Sequence, residues 1–217
     1  MLILAVDTTA EFGSIALADE EGVREEVLLH QPQGFSGVLF GQIEALLARR
    51  AVALPAIDLF AGASGPGSFT GVRIGLAAIK GLGEVLGKPV IAVSNLAALA
   101  EFGQSDLRAT VIDARRGEIF GALFNRAGDL VIPEQVVRFP RFLELLAGHT
   151  FEWIATDFDP FRPALTGTPF ERFPVTIAPK ALAGTIAAIA ARSPRTDAAA
   201  IEANYVRRSD AELLWPR

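Results

Sequence analysis

The residues of this chain best placed to do chemistry lie between Leu59 and Gly83, in the run LFAGASGPGSFTGVRIGLAAIKGLG. An apolar strand over 58–63 breaks at Gly65, Pro66 and Gly67, and a helix restarts near Phe69 or Thr70. Glycine lets a backbone take positive φ and approach another surface closely. Ser68 or Thr70 can cap the free N–H groups of the first helical turn. A strand–loop–helix junction of this kind is a ready cradle for an anion or a phosphate. It is not a Walker loop, which needs Gly-Lys-Ser/Thr after four intervening residues. Nor is it the dinucleotide fingerprint, because three residues rather than two separate Gly67 from Gly71. Two readings stand: a phosphate loop or partner-mating surface, and a tight turn whose glycines merely allow packing.

Other chemistry is thinly supplied. The only histidines are His30 and His149, so no paired-histidine helix motif exists. Neither histidine is surrounded by a Gly-x-Ser-x-Gly elbow. There are no cysteines, which removes disulfides, thiolate metal sites and thiol nucleophiles. Asp7 and Asp113 each end a strand. Such carboxylates can orient water or Mg²⁺ near phosphates. They can equally cap their own turns by accepting nearby N–H groups. The cap is the favoured reading, because the rest of a nucleotide site is incomplete. No pair of carboxylates has a spacing that demands acid–base work, so catalytic and metal residues are expected to be none.

The elements that must position these residues follow from periodicity. Strands are expected over Leu2–Asp7, Ser14–Asp19 and Val23–His30, with a turn at Glu20-Glu21-Gly22. A helix over 36–50, the strand at 58–63, the glycine-rich helix to about Leu86, a strand over 89–93 and a helix from Ser94 complete the set. The middle of the chain repeats the beginning: an offset of 106 carries Val6, Asp7, Ala16, Leu17 and Gly22 onto Ile112, Asp113, Ala122, Leu123 and Gly128. Strands over 110–113, 118–125, 130–139 and 152–156, with helices over 141–147 and 179–192, would form the second unit. The expected division is a half at 1–105 and a smaller, degraded half at 106–217.

The 217 residues, 51% hydrophobic and 21% charged, suit one domain or two small halves with a real core. A net charge of −5 argues against gripping nucleic acid unaided, which relies on Lys and Arg neutralising phosphates. No stretch nears the roughly 18 apolar residues of a membrane span, and no signal peptide is evident. A soluble, cytoplasmic protein is expected.

The string Gly65-Pro66-Gly67-Ser68-Phe69-Thr70-Gly71-Val72-Arg73-Ile74-Gly75, followed by Lys80-Gly81-Leu82, resembles the signature of the TsaB family. LILAVDTT at 2–9, SNLAALA at 94–100, IDARRGE at 112–118 and Tyr205-Val206-Arg207 resemble further family motifs in the same order. The resemblance implies an α/β fold of the actin-like ATPase (ribonuclease H-like) superfamily, built from two βββαβα halves. Asp7, Thr8 and Thr9 are then similar to the first phosphate turn, and Asp113 lies at the second, where Ala114-Arg115-Arg116 replaces a glycine-rich turn. That replacement argues against nucleotide hydrolysis by this chain. The implied function is that of a non-catalytic subunit in the formation of N6-threonylcarbamoyladenosine in tRNA. ATP and metal are expected on the partners: a TsaD-like catalytic subunit and a small TsaE-like ATPase. A homodimer is expected when the chain is alone, with tRNA contacted indirectly and no membrane. The alternative is an ATP-dependent phosphotransferase or acyltransferase of the same superfamily.

Pairing is expected to use the two N-terminal helices. Gly71, Gly75 and Ala78 share one side of the glycine-rich helix, and small residues there permit close packing, either on the chain's own sheet or against a second subunit. The expected partner-binding set is Phe35, Leu39, Ile43, Gly67, Ser68, Phe69, Thr70, Gly71, Arg73, Gly75 and Ala78. On this reading Gly75→Leu abolishes pairing and leaves the fold intact.

Overall fold

Alternating hairpins and crossovers give each half of the chain the same sheet. In the computed structural model, which describes residues 1–195 and 201–204, the first half runs β1 (Ile3–Asp7), β2 (Phe12–Asp19), β3 (Gly22–His30), α1 (Leu39–Arg49), β4 (Leu59–Gly65), α2 (Phe69–Leu86), β5 (Val90–Ser94) and α3 (Asn95–Ala100). The second runs β6 (Leu107–Arg115), β7 (Glu118–Asn125), β8 (Leu130–Arg138), α4 (Phe139–Leu145), β9 (Glu152–Ala155), α5 (Arg162–Leu165), β10 (Val175–Ile177) and α6 (Ala183–Arg192). The sheet orders are β3-β2-β1-β4-β5 and β10-β9-β6-β7-β8, one topology used twice. The first three strands of each sheet pair antiparallel, and the last two join in parallel. This is the expected actin-like, ribonuclease H-like architecture. Tyr205, Val206 and Arg207 lie outside the described residues. Among the described residues no helix is long and apolar enough to cross a membrane.

The central strand β1 is buried along its whole length because helices cover both faces of its sheet, so it reads as an unbroken apolar run. Leu4 and Val6 face α1 and α2, joining Ile15, Leu17, Leu39, Ile43, Leu46, Phe60, Val72 and Ile79 in one core. In the second sheet Ala109, Val111, Ile119 and Leu123 play that part, against Phe139, Phe142 and Trp153.

Pleat alternation corrects the repeat register. Leu4 lies opposite Leu17 and Val6 opposite Ile15. Their counterparts are Ala109 opposite Leu123 and Val111 opposite Gly121. β2 therefore maps onto β7 at the expected offset of 106, while β1 maps one residue short of it. Asp7 falls on Ile112, not on Asp113, because a one-residue slip moves a side chain to the other face of a sheet.

The division into halves also differs from expectation. One compact unit comprises Met1–Asn95 with Lys180–Asn204, and the other contains Leu96–Pro179. The last helix of each half thus belongs to the unit built on the other sheet. Leu96 and Ala100 of α3 pack with Ala114, Phe120, Ala122 and Phe124. α6 packs on β1, β2 and β4. Its first amides, Leu182 and Ala183, donate to Ser14 Oγ at 3.0 and 2.9 Å, and Gly184 N donates to Glu26 Oε1 at 2.8 Å. Linear order cannot reveal this exchange, since a helix is assigned by what its apolar face meets.

Candidate functional site

The junction that carries the glycine loop is closed by the chain's own first turn. Asp7 is buried at the end of β1. Its Oδ1 accepts from Thr9 N at 2.9 Å and Thr9 Oγ1 at 2.7 Å. Asn95, the first residue after β5, donates from Nδ2 to Asp7 Oδ2 at 3.2 Å and to Thr9 Oγ1 at 2.9 Å, and its Oδ1 accepts from Gly65 N at 3.1 Å. One amide side chain thereby ties the ends of β1, β4 and β5. Burial holds the Asp7 carboxyl above its ordinary range, against the opposing effect of the Thr9 and Asn95 hydrogen bonds. The sequence motif contained Asn95, but nothing in its spacing announced this clasp.

The glycines of α2 face the same turn. Thr8 Oγ1 donates to Gly71 O at 2.7 Å. A Cβ at Gly71 would run into the Thr8 carbonyl, one at Gly75 would sit 2.6 Å from Thr8 Oγ1, and one at Gly67 would sit 2.5 Å from Thr9 O. Ser68 N donates to Thr9 O at 2.6 Å, and Ser68 Oγ caps the helix by accepting from Gly71 N at 3.3 Å. On the far side of the loop, Asn204 N donates to Ser64 O at 2.8 Å and Lys80 Nζ to Ile201 O at 3.0 Å.

This geometry corrects several expected partner-binding residues. Gly71, Gly75 and Ala78 are buried in their own unit, as are Phe35, Leu39 and Ile43, which form its core with β1 and β2. The small-residue stripe serves close packing of α2 on Thr8, so Gly75→Leu would break the fold before it reached any partner. Ser68, Phe69, Thr70 and Arg73 remain exposed, and Gly67 is half-buried. The Arg73 guanidinium stacks 3.8 Å from the Phe69 ring centroid. The expected set named Phe69 but omitted other outward residues of α1 and α2. Phe40 on α1 is 56% exposed, Phe69 42%, and Gly41, Ala77 and Gly81 are exposed on α1 and α2. Apart from chain neighbours and the surrounding helix backbone, no atom of the described structure would lie within 4 Å of a Cβ at Gly41 or Gly81. The alternation of inward Leu39, Ile43, Leu46 with outward Phe40, Gly41, Glu44 was the signal that could have separated the two faces.

The second expected turn is differently built. Arg115, Arg116 and Gly117 all have positive φ, and Arg115 pairs with Glu118 across a two-residue hairpin loop. Asp113 is exposed and accepts from Arg115 N at 2.8 Å, so it caps its own turn. His30 lies at the end of β3, stacked on Phe12 at 4.4 Å with Nε2 2.5 Å from Glu11 Oε1. No nucleophile–base pair is assembled at the Asp7–Thr9 turn, whose polar side-chain atoms are engaged by neighbouring groups of the same unit.

Comparison with known proteins adds a family. The family model described as "TsaD: tRNA N6-adenosine threonylcarbamoyltransferase" matches residues 33–208. The tRNA threonylcarbamoyladenosine biosynthesis protein TsaB of Bacillus subtilis is 35% identical over 151 residues, covering 67% of this chain and 66% of that protein. The protein of the same name from Escherichia coli is 35% identical over 130 residues, covering 58% and 56%. The alignments thus span between about half and two thirds of the curated relatives' length. A Pseudomonas aeruginosa crystal structure, described as an uncharacterized protein with similarity to peptidase YEAZ, superposes with a TM-score of 0.79 at 27% identity, covering 95% of this chain and 99% of that one.

Proposed function

We propose, since the chain belongs to the TsaB family, that it is a non-catalytic subunit of the assembly that forms N6-threonylcarbamoyladenosine in tRNA. On this reading it pairs with a TsaD-type catalytic subunit through the outer faces of α1 and α2 and keeps that subunit competent to modify tRNA. Metal and ATP belong to the partners, including a small TsaE-like ATPase, and two copies of this chain pair through the same face when it is alone.

The observation that carries the reading is the outward face itself. Glycine inside a helix costs about 1 kcal/mol relative to alanine. At Gly71 and Gly75 close packing within the unit offsets that cost; at Gly41 and Gly81 nothing in the described structure does. Two exposed phenylalanines, Phe40 and Phe69, stand on the same two helices. Exposed aromatics and bare helix backbone suit a helical partner that approaches closely. The alternative of an ATP-dependent transferase is disfavoured by the Asp7–Thr9 turn, whose side-chain groups are occupied by Asn95 and Gly71.

The test is direct. The chain is mixed with a TsaD-type catalytic subunit and followed by size-exclusion light scattering, and tRNA modification is assayed with and without it. A one-to-one complex and a dependence of modification on this chain are expected. Absence of any complex at micromolar concentration, or ATP turnover by the isolated chain, overturns the reading.

A further inference from the structure

We propose that Thr8 is a positioning residue for pairing, holding α2 at the one depth at which its outer residues meet the partner; this rests on the pairing role just proposed. Three points define how α2 lies on the first turn. Ser68 N on Thr9 O sets where the helix begins. The Thr8 hydroxyl on Gly71 O, with the Thr8 carbonyl filling the place of a Gly71 side chain, sets its depth. Gly75, one turn on, rests over the same hydroxyl and sets the rotation. The turn itself is fixed from behind by Asp7 and Asn95.

The residues that would touch a partner ride on this segment. Phe69, Thr70 and Arg73 are exposed on the same two helical turns as Gly71 and Gly75, and Ala77 continues the face. Packed interiors shift between discrete arrangements rather than deforming smoothly. When the hydroxyl is lost, Gly71 O keeps only its helical partner and α2 is free to settle differently on the turn. That displacement would be carried directly into the pair formed by Arg73 and the Phe69 ring. Thr8 touches no partner on this account and acts only through α2.

Thr8→Val keeps the branched shape and removes the donor, whereas Thr8→Ser keeps the donor. Affinity for a TsaD-type catalytic subunit is measured by titration calorimetry, and the unfolding midpoint of the isolated chain in urea. Thr8→Val is expected to weaken binding about three- to tenfold, the span of one hydrogen bond, with Thr8→Ser within about twofold of wild type. A lowered midpoint with unchanged affinity marks a purely structural hydroxyl and overturns the inference. Should Thr8→Val not fold, Gly75→Ala, which crowds the hydroxyl from the helix side, replaces it, and unchanged affinity there also overturns the inference. Wild-type protein that does not bind at all instead overturns the proposed function.

Discussion

Asn95 donates its side-chain amide to the carboxylate of Asp7 across 3.2 Å, and by that bond the end of β5 is tied to the end of β1. The same side chain satisfies Thr9 Oγ1 and Gly65 N. An amide is suited to this role because it carries a donor and an acceptor at once.

Asn95→Ala therefore leaves Asp7 Oδ2 and Gly65 N without their side-chain partner and removes one of the two bonds of Thr9 Oγ1. An unsatisfied buried donor or acceptor costs about 1–3 kcal/mol, so a loss on the order of 3 kcal/mol is expected in urea unfolding. A loss below about 1 kcal/mol would mean that the clasp is not holding the strand ends together.

Two buried carboxyls should give stability profiles of opposite sign. Burial raises the folded-state pKa of Asp7. Its contribution is thus full below the unfolded pKa and is lost as pH rises through the folded value. Glu152 is the reverse: burial pushes its carboxyl up, but the Thr176 hydroxyl and the Ser105 and Gln104 amides outweigh this and hold it below its ordinary range. Its contribution is present above the unfolded pKa and is lost as pH falls through the folded one. Relative to wild type, Asp7→Asn should compare better at pH 7 than at pH 4, and Glu152→Gln should compare better at pH 4 than at pH 7. Parallel profiles for the two variants would contradict this assignment.

Gly81 and Gly75 occupy one helix with opposite surroundings. Gly81→Ala meets open space and should stabilise the isolated chain by up to about 1 kcal/mol. Gly75→Ala places a methyl against Thr8 Oγ1 and should destabilise it. Urea midpoints moving in the same direction would show that α2 does not rest on Thr8 as described.

Phe40 is the outward aromatic of α1 and makes no part of the core. Phe40→Glu should leave the unfolding midpoint within about 0.5 kcal/mol, as exposed substitutions do, while abolishing association with a TsaD-type subunit. Retained association would remove α1 from the pairing face.

Much of the fold was legible from local pattern. β7, Glu118–Asn125, falls on its expected bounds, and α1 lies within the helix expected over 36–50. Asp7 and Asp113 each cap their own turns, the reading favoured because the rest of a nucleotide site is incomplete. The candidate site was legible only in part. The glycine loop was placed correctly, yet its glycines were turned toward a partner when they face Thr8 and Thr9. β10 and α5 went unnoticed, being too short for periodicity to register.

The sequence by itself determined most of the elements, the doubled topology and the family, because periodicity, turn residues and an eleven-residue motif are local properties of the chain. Only the tertiary structure decided which side of α2 is inside, that β1 maps one residue off the repeat, and that α3 and α6 join units built on the other sheet. Those outcomes depend on what each face meets across long sequence separations. A glycine looks the same in the sequence whether its missing side chain makes room for Thr8 or leaves a surface bare.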